Sequence, residues 1–371
     1  MLNLRPSFSP IWVPCSAAAR FALMCADQPE TDASREGTAA AWVADVVLSG
    51  KALRAYDLDG ETHENGWLVD TEMCRHIQDY VDMVQARSGL IEAEKFVRLT
   101  DTIAGTLDSS ANVMNGVLYV DDLKFGYGVV EPTTPQITIY GEAQARILEK
   151  AGVTIKQVVL GIFQPRANHV DGPYRTRTLT RSELAKEAEW IIARGDLAQD
   201  PNSVATPGDH CKHCPAATSC EALNMSVLNA YDFVASRRQS HLDARGVSVE
   251  LQVLQRIEKL IEARKNAVEA EAEQLIAQGT YLPHPQGGQW GMVSGSGRRR
   301  FKTGVSTQVV EAMTGLKATK EVPLSPAEIE KAGNAATKKV VKLLAETPPT
   351  KRKLKRVDNK VVAKQFETKG Y

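Results

Sequence analysis

Two short segments hold residues whose types and spacing can do chemistry. They are Gly105-Thr-Leu-Asp108 and, after a hydrophobic run, Tyr119-Val-Asp-Asp-Leu-Lys124. Side chains alternate along a strand, so Asp122 and Lys124 project from one face and Asp121 from the other. With Asp108 just ahead of a hairpin whose second strand delivers Asp122, two carboxylates and an ammonium group can converge. Such a set suits hydrolysis of a phosphodiester. Carboxylate and carbonyl oxygens hold a hard divalent cation, which polarises a phosphoryl oxygen and lowers the pKa of water. A lysine beside it orients the nucleophile or neutralises developing charge. An Asp-x-Lys triplet is common, and alone it reads better as an exposed strand end with a weak surface ion pair. Its company decides the matter.

Twelve residues past Lys124 stands Gln136, with Tyr140 four further on, so both lie on one helix face. Gly-x-x-Asp, then a hydrophobic strand ending in Asp-x-Lys, then Gln-x-x-x-Tyr resembles the ordered motifs of RecB-type nucleases in the PD-(D/E)XK superfamily. The resemblance implies that Asp108, Asp122 and the Leu123 carbonyl bind Mg2+ or Mn2+, and that Lys124 acts at the reacting phosphate. It further implies that Gln136 and Tyr140 hold the substrate and the lysine. Arg35-Glu-Gly-Thr38 resembles the family's first motif, where a metal-ligating His follows four residues after the Gly. Here that place is Ala41. Glu94, Glu36 or water is then left to complete the coordination sphere, or else metal binding is weakened and the chain is an inactive DNA-binding accessory protein.

Six cysteines fit thiol or metal chemistry better than a disulfide framework in a chain that reads as cytoplasmic. His210-Cys-Lys-His-Cys214-Pro followed by Cys220 puts three soft ligands in a Pro/Gly-rich loop. A closed site needs a fourth. The layout resembles AddB-type and CRISPR-adaptation nucleases, with one Cys before the nuclease core and three after it holding a 4Fe-4S cluster. That implies Cys15, Cys211, Cys214 and Cys220 as ligands. A Cys3His zinc site using His210 or His213, or Cys25 in place of Cys15, stays open on spacing alone. Either metal would staple the N-terminus to the end of the core across a long loop. The resemblance covers roughly residues 10 to 225, includes Gln164-Pro-Arg166, and extends to a phage-associated branch. From it follow DNA as substrate, exonucleolytic action in recombination or repair, and a phage recombination protein as partner.

The elements that must position these groups are legible in hydropathy. Arg35 to Leu48 and Thr71 to Arg87 read as helices, Lys95 to Thr100 as a strand, and Ala111 to Met114 and Val117 to Leu123 as strands joined at Asn115-Gly116. Pro135 to Lys150 is helical, Val158 to Phe163 a strand, and Thr180 to Arg194 a helix with Trp190 on its apolar side. Ser248 to Gln278 is a long charged helix with Ser248 as N-cap, and Pro323 to Pro349 a small helical module. The order predicts an α/β fold of restriction-endonuclease type, a small mixed sheet flanked by helices. Residues 1–230 form the nuclease domain, and 231–371 a helical spacer and basic C-terminal extension.

Hydrophobic residues at 43% and charged residues at 24% describe a globular chain, and no apolar run is long enough for a membrane helix. Formal net charge is zero, yet residues 351–371 carry eight Lys/Arg against two acids. With Arg298, Arg299, Arg300 and Lys302 around Phe301, this region can bind phosphates without sequence preference, or be a solvated surface.

Overall fold

The computed structural model describes residues 1–25, 30–87, 89–113, 115–236, 242–293, 300–301, 307–316, 325–346 and 353–357. Five strands pair in the order β1 (Leu90–Arg98), β2 (Ala104–Asn112), β3 (Val117–Leu123), β4 (Gln157–Phe163) and β5 (Tyr174–Thr180). All neighbours are antiparallel except β3 and β4. A parallel pair needs a crossover, and the connection between β3 and β4 contains the helix Pro135–Lys150, started by Pro135 at its first turn. The small mixed sheet flanked by helices is therefore the expected α/β architecture.

Helices cover both faces. On one lie α1 (Ser9–Trp12) and α2 (Ala18–Ala22), with α5 (Pro135–Lys150) and α6 (Arg181–Gln199). Trp12, Leu107, Leu118, Val120, Ile137 and Leu160 form the core on that side. On the other, α3 (Asp32–Leu48) and α4 (Thr71–Gln85) bury Val43, Met73, Ile77 and Tyr80 with Leu123 and Phe163. Side-chain caps fix three helix starts: Thr31 accepts from the Ser34 N–H, Asp70 from that of Met73, and Thr180 with Glu183 forms a reciprocal capping box.

Several local readings change, beginning with the strand expected at Ala111 to Met114, of which Ala111 and Asn112 are the end of β2 (Ala104–Asn112). Strand β5 carries no buried-strand pattern; its alternating Tyr-Arg-Thr-Arg-Thr-Leu-Thr is too polar for one, and the structure uses it at a sheet edge. Trp190 is 56% exposed, because the buried side of α6 is Leu184, Ala188, Ile191 and Ala198. Ser248 is no cap, since the long helix α8 (Ala244–Ala277) starts before it.

The chain divides into two units, Met1–Ala267 and Val268–Tyr371. The first unit contains α7 (Glu221–Ala235) and most of α8, whose Leu260 and Ala263 pack with Cys211, Ala217 and Leu223. In the second, β6 (Gln289–Val293) pairs with β9 (Lys353–Val357), and β7 (Arg300–Phe301) with β8 (Ala345–Glu346). The helices α9 (Thr307–Thr314), α10 (Pro326–Ala332) and α11 (Ala335–Leu344) gather Val310, Ile329 and Val341. Among the described residues no helix is long and apolar enough to cross a membrane.

Candidate active site

Even-numbered residues of β3 face α5, so Leu118 and Val120 enter the core there and Asp122 continues the row toward the strand end. Asp122 is 1% exposed. Gln136, in the first turn of α5, donates to Asp122 Oδ1 at 2.9 Å and accepts from Lys124 Nζ at 3.1 Å. Lys124 Nζ also stands 2.8 Å from Asp122 Oδ2 as an ion pair, although that buried oxygen has no aligned hydrogen-bond donor. The spacing of Gln136 and Lys124 in sequence thus corresponds to a closed triangle with Asp122.

Asp108 reaches the same place by a different route. It lies within β2, not ahead of it. The β1–β2 ladder pairs Ala93 with Ser109 and Lys95 with Leu107 but skips Glu94 and Asp108 between them. Glu94 adopts φ 45°, a left-handed conformation that non-glycine residues avoid. Across this step the faces exchange: Leu107 packs with the α5 core, whereas Ser109 bonds Tyr80 of α4 at 2.8 Å. Asp108 is released from the alternation, and its Oδ2 accepts the Leu123 N–H at 2.6 Å.

The electrostatics follow from this crowding. Burial, then the neighbouring Asp122 charge, holds the Asp108 carboxyl well above the usual range, while Lys124 and the Leu123 N–H oppose the rise. Lys124 keeps its proton: burial works against its charge, but Asp122 and Asp108 outweigh it and raise its pKa. Tyr140 is pushed up by burial and by the same two carboxylates, so it stays a neutral phenol. Gly105 is required by Pro6, whose ring a Cβ would approach within 2.7 Å, while the Tyr140 oxygen would lie at an ordinary 3.5 Å.

Glu94 is solvent-accessible, yet surrounding protein and then Asp45 push its carboxyl up to about 7. Asp45 was missed in the sequence. It sits on α3 one turn beyond Ala41, and the (i, i+4) relation to the family's His position was the available signal. Glu36, the other candidate ligand, is committed elsewhere. Arg166 grips both its oxygens at 2.6 and 2.7 Å and stacks over Phe125 and Tyr127.

Asp121 faces α4, away from Asp122. Its carboxylate is bound by Arg87 and by the Tyr174 hydroxyl at 2.8 Å. Gly161, its register partner on β4, leaves space for that cluster.

A second constellation lies at the N-terminus. Cys15, Cys211, Cys214 and Cys220 line one small cavity with Ala18, Phe21 and Leu223. Cys25 is not in it and donates to the Phe21 carbonyl. The Thr206 and Gly208 N–H groups point at the Cys15 and Cys211 sulfurs, at 3.4 and 3.3 Å. His210 Nε2 is engaged by the Thr206 carbonyl at 2.9 Å. Burial raises the Cys211 thiol and takes that of Cys214 up to about 11. Cys74 is buried on α4, as a packed side chain should be. Arg298, Arg299 and Lys302 lie outside the described residues, and Arg300 is placed only as backbone in β7.

Residues 3–361 match the family described as "Protein of unknown function (DUF2800)". The chain belongs to DUF2800. No curated protein matches this DUF2800 sequence. Solved structures similar to it include these two. One, from Eubacterium rectale and described as a "Putative exonuclease", shares 9% identity at a TM-score of 0.33, over 67% of this chain and 93% of its own. The other, SSO0001, shares 10% at 0.27, over 60% and 87%. Likeness at that level assigns neither activity nor residues to this DUF2800 member.

The groups themselves define the chemistry open to the site. Asp108, Asp122 and Glu94 are hard oxygen donors, and the sulfurs are soft ones. Among the described residues no group of three or more His, Cys, Asp or Glu side chains stands as a ready-made ion site. Each set would have to draw together around its metal. Two observations fit such closure: two buried carboxylates, Asp108 and Asp122, stand together at the end of β3, and four thiols share a small cavity.

Proposed function

We propose that this chain is a divalent-metal-dependent DNA nuclease, with Asp108, Asp122, the Leu123 carbonyl and Glu94 holding Mg2+ or Mn2+. The observation that carries the reading is the Asp122–Gln136–Lys124 triangle beside Asp108, two buried carboxylates and an ammonium group gathered at one strand end. When bound, the cation polarises a phosphoryl oxygen and supplies a more acidic water. Lys124, held protonated, faces the negative charge that develops on the phosphate. Gln136 fixes both Lys124 and Asp122, so neither needs to reorganise as charge develops. Tyr140 stays neutral and offers a hydrogen bond, and Asp45 places a further negative charge beside Glu94. Action at DNA ends, in recombination or repair, rests on the motif resemblance.

The cysteine constellation supports a 4Fe-4S cluster held by Cys15, Cys211, Cys214 and Cys220, in a structural role. Backbone N–H groups directed at two sulfurs suit thiolate ligands.

Incubation of the purified protein with end-labelled DNA and Mn2+, beside Asp122→Ala and Lys124→Ala, tests the proposal. Degradation by wild type that falls at least 100-fold in both variants supports it. Equal degradation by all three, or none by any, leaves the inactive DNA-binding reading favoured by Ala41. A preparation without the visible iron–sulfur band but with bound zinc would overturn the cluster assignment.

A further inference from the structure

An open cleft of ≈ 530 Å³ lies between α5 and α6, lined by Thr133, Pro135, Thr138, Arg177, Lys186 and Trp190 with flanking acids. That volume is in the range of ligand sites. Its charges are unevenly committed. Arg177 holds Glu187 through both terminal nitrogens at 2.7 and 2.9 Å, and Glu183 caps Thr180. Arg177 Nε is buried with no hydrogen-bond partner. Lys186 is exposed and makes no ion pair among the described residues. Trp190, one helical turn further on the same face of α6, leaves over half its surface in water. The N-cap of α5, Thr134, gives no side-chain cap and Pro135 has no N–H, so the Gln136 and Ile137 N–H groups stand uncapped by a side chain at the positive end of the helix dipole.

This cleft and the carboxylates share a wall. Gln136 points from the first turn of α5 to Asp122, while Pro135 and Thr138 flank it and line the cleft. A helix with side chains is about 10–12 Å across, a span of one or two nucleotides of a strand laid over the helix end. A half-exposed indole beside a free ammonium is how proteins hold unpaired bases without sequence preference.

We propose that the cleft is a stacking site for an unpaired base, with Trp190 under the base and Lys186 and the α5 N-terminus toward the adjoining phosphate. The strand it anchors is the one whose neighbouring phosphate lies at Asp122; the proposal rests on the nuclease reading. Only single-stranded nucleic acid can offer such a base, so the site favours single strands and frayed ends over closed duplex.

The test measures binding of a fluorescein-labelled oligo(dT) to the full chain in EDTA, where no cleavage occurs, by anisotropy. Wild type is compared with Trp190→Ala, Trp190→Phe and Lys186→Ala. Trp190→Ala is expected to weaken binding about tenfold or more, Trp190→Phe to restore it to within about threefold, and a blunt duplex of equal length to show no dependence on Trp190. Equal binding by wild type and Trp190→Ala, or no binding by any, overturns the proposal. Circular dichroism and melting of Trp190→Ala, expected to match wild type because the side chain is exposed, remove misfolding as a cause. Mn2+-dependent cleavage is scored separately. Trp190-dependent binding without cleavage sinks the nuclease reading and leaves the stacking site standing, whereas cleavage with Trp190-independent binding does the reverse.

Discussion

Asp121 and Asp122 are adjacent, chemically identical and both about 1% exposed, yet conversion to Asn should have opposite consequences. Asp121 faces α4, where Arg87, with a side chain only 10% exposed, depends on it. Asp121→Asn leaves that guanidinium buried without its counter-charge, and breaking a buried pair from one side costs about 3–5 kcal/mol. For a unit of this size a loss of that order lowers Tm by roughly 10 °C. Asp122→Asn loses the attraction of Lys124 but also ends the repulsion with Asp108 that helps hold the Asp108 carboxyl up. An Asn oxygen can still accept from Gln136. The opposing effects should cancel to within about 1 kcal/mol, so metal-free Asp122→Asn should melt within roughly 3 °C of wild type.

The contrast inverts when metal is added. Mn2+ at about 100 times its Kd stabilises the folded state by about 2.7 kcal/mol, a rise of roughly 5–10 °C in Tm. Wild type and Asp121→Asn should both show that rise, from different starting points, and Asp122→Asn should show none. Differential scanning calorimetry in EDTA and in Mn2+ reads all of these quantities. Equal destabilisation by the two substitutions in EDTA, or an undiminished Mn2+ response in Asp122→Asn, would refute the division of the strand into a structural face and a metal face.

Further outcomes follow from the same geometry. An acid whose folded pKa lies above its unfolded value destabilises the fold as pH rises from the unfolded value through the folded one. Glu94, raised from 4.5 to about 7, should therefore make metal-free protein less stable at pH 8 than at pH 5. Glu94→Gln should reduce that pH dependence by roughly 1 kcal/mol, a figure discounted for its exposure, measured by melting at both pH values. Because protons compete with metal at Asp108 and Glu94, Mn2+ affinity by calorimetric titration should fall as pH drops below about 7. Gly161→Ala would bring a Cβ within 2.7 Å of the Tyr174 hydroxyl and should cost about 1–3 kcal/mol, with the Mn2+ response kept. Cys211→Ser should abolish the visible absorbance of the as-isolated protein and lower stability by up to about 5 kcal/mol, the loop-closure scale for a staple between Cys15 and the Cys211 loop.

What the sequence disclosed, and what it withheld, divides along one physical line. Period-2 and period-3.6 patterns report local faces, so α3, α4, α5, β3 and β4 are legible, and so is the opposite facing of Asp121 and Asp122. Patterns report nothing about partners far along the chain. Arg87 on Asp121, Arg166 on Glu36, and Cys15 beside Cys214 are contacts across 34, 130 and nearly 200 residues that only folding brings together. Trp190 was misplaced because an aromatic residue in a helix with weak amphipathicity carries no mark of which side is wet. The convergence of Asp108 depended on a still subtler event. Regular alternation would tie Asp108 to one face of β2, and it escapes because Glu94 opposite takes a left-handed conformation. Such a conformation costs of order 1–3 kcal/mol and persists where surrounding structure over-determines it. The two residues that break the ladder are both acids, and both are pushed upward in pKa. Here a strained backbone and two destabilised carboxylates occupy one spot, and a divalent cation would relieve the electrostatic part of both costs at once.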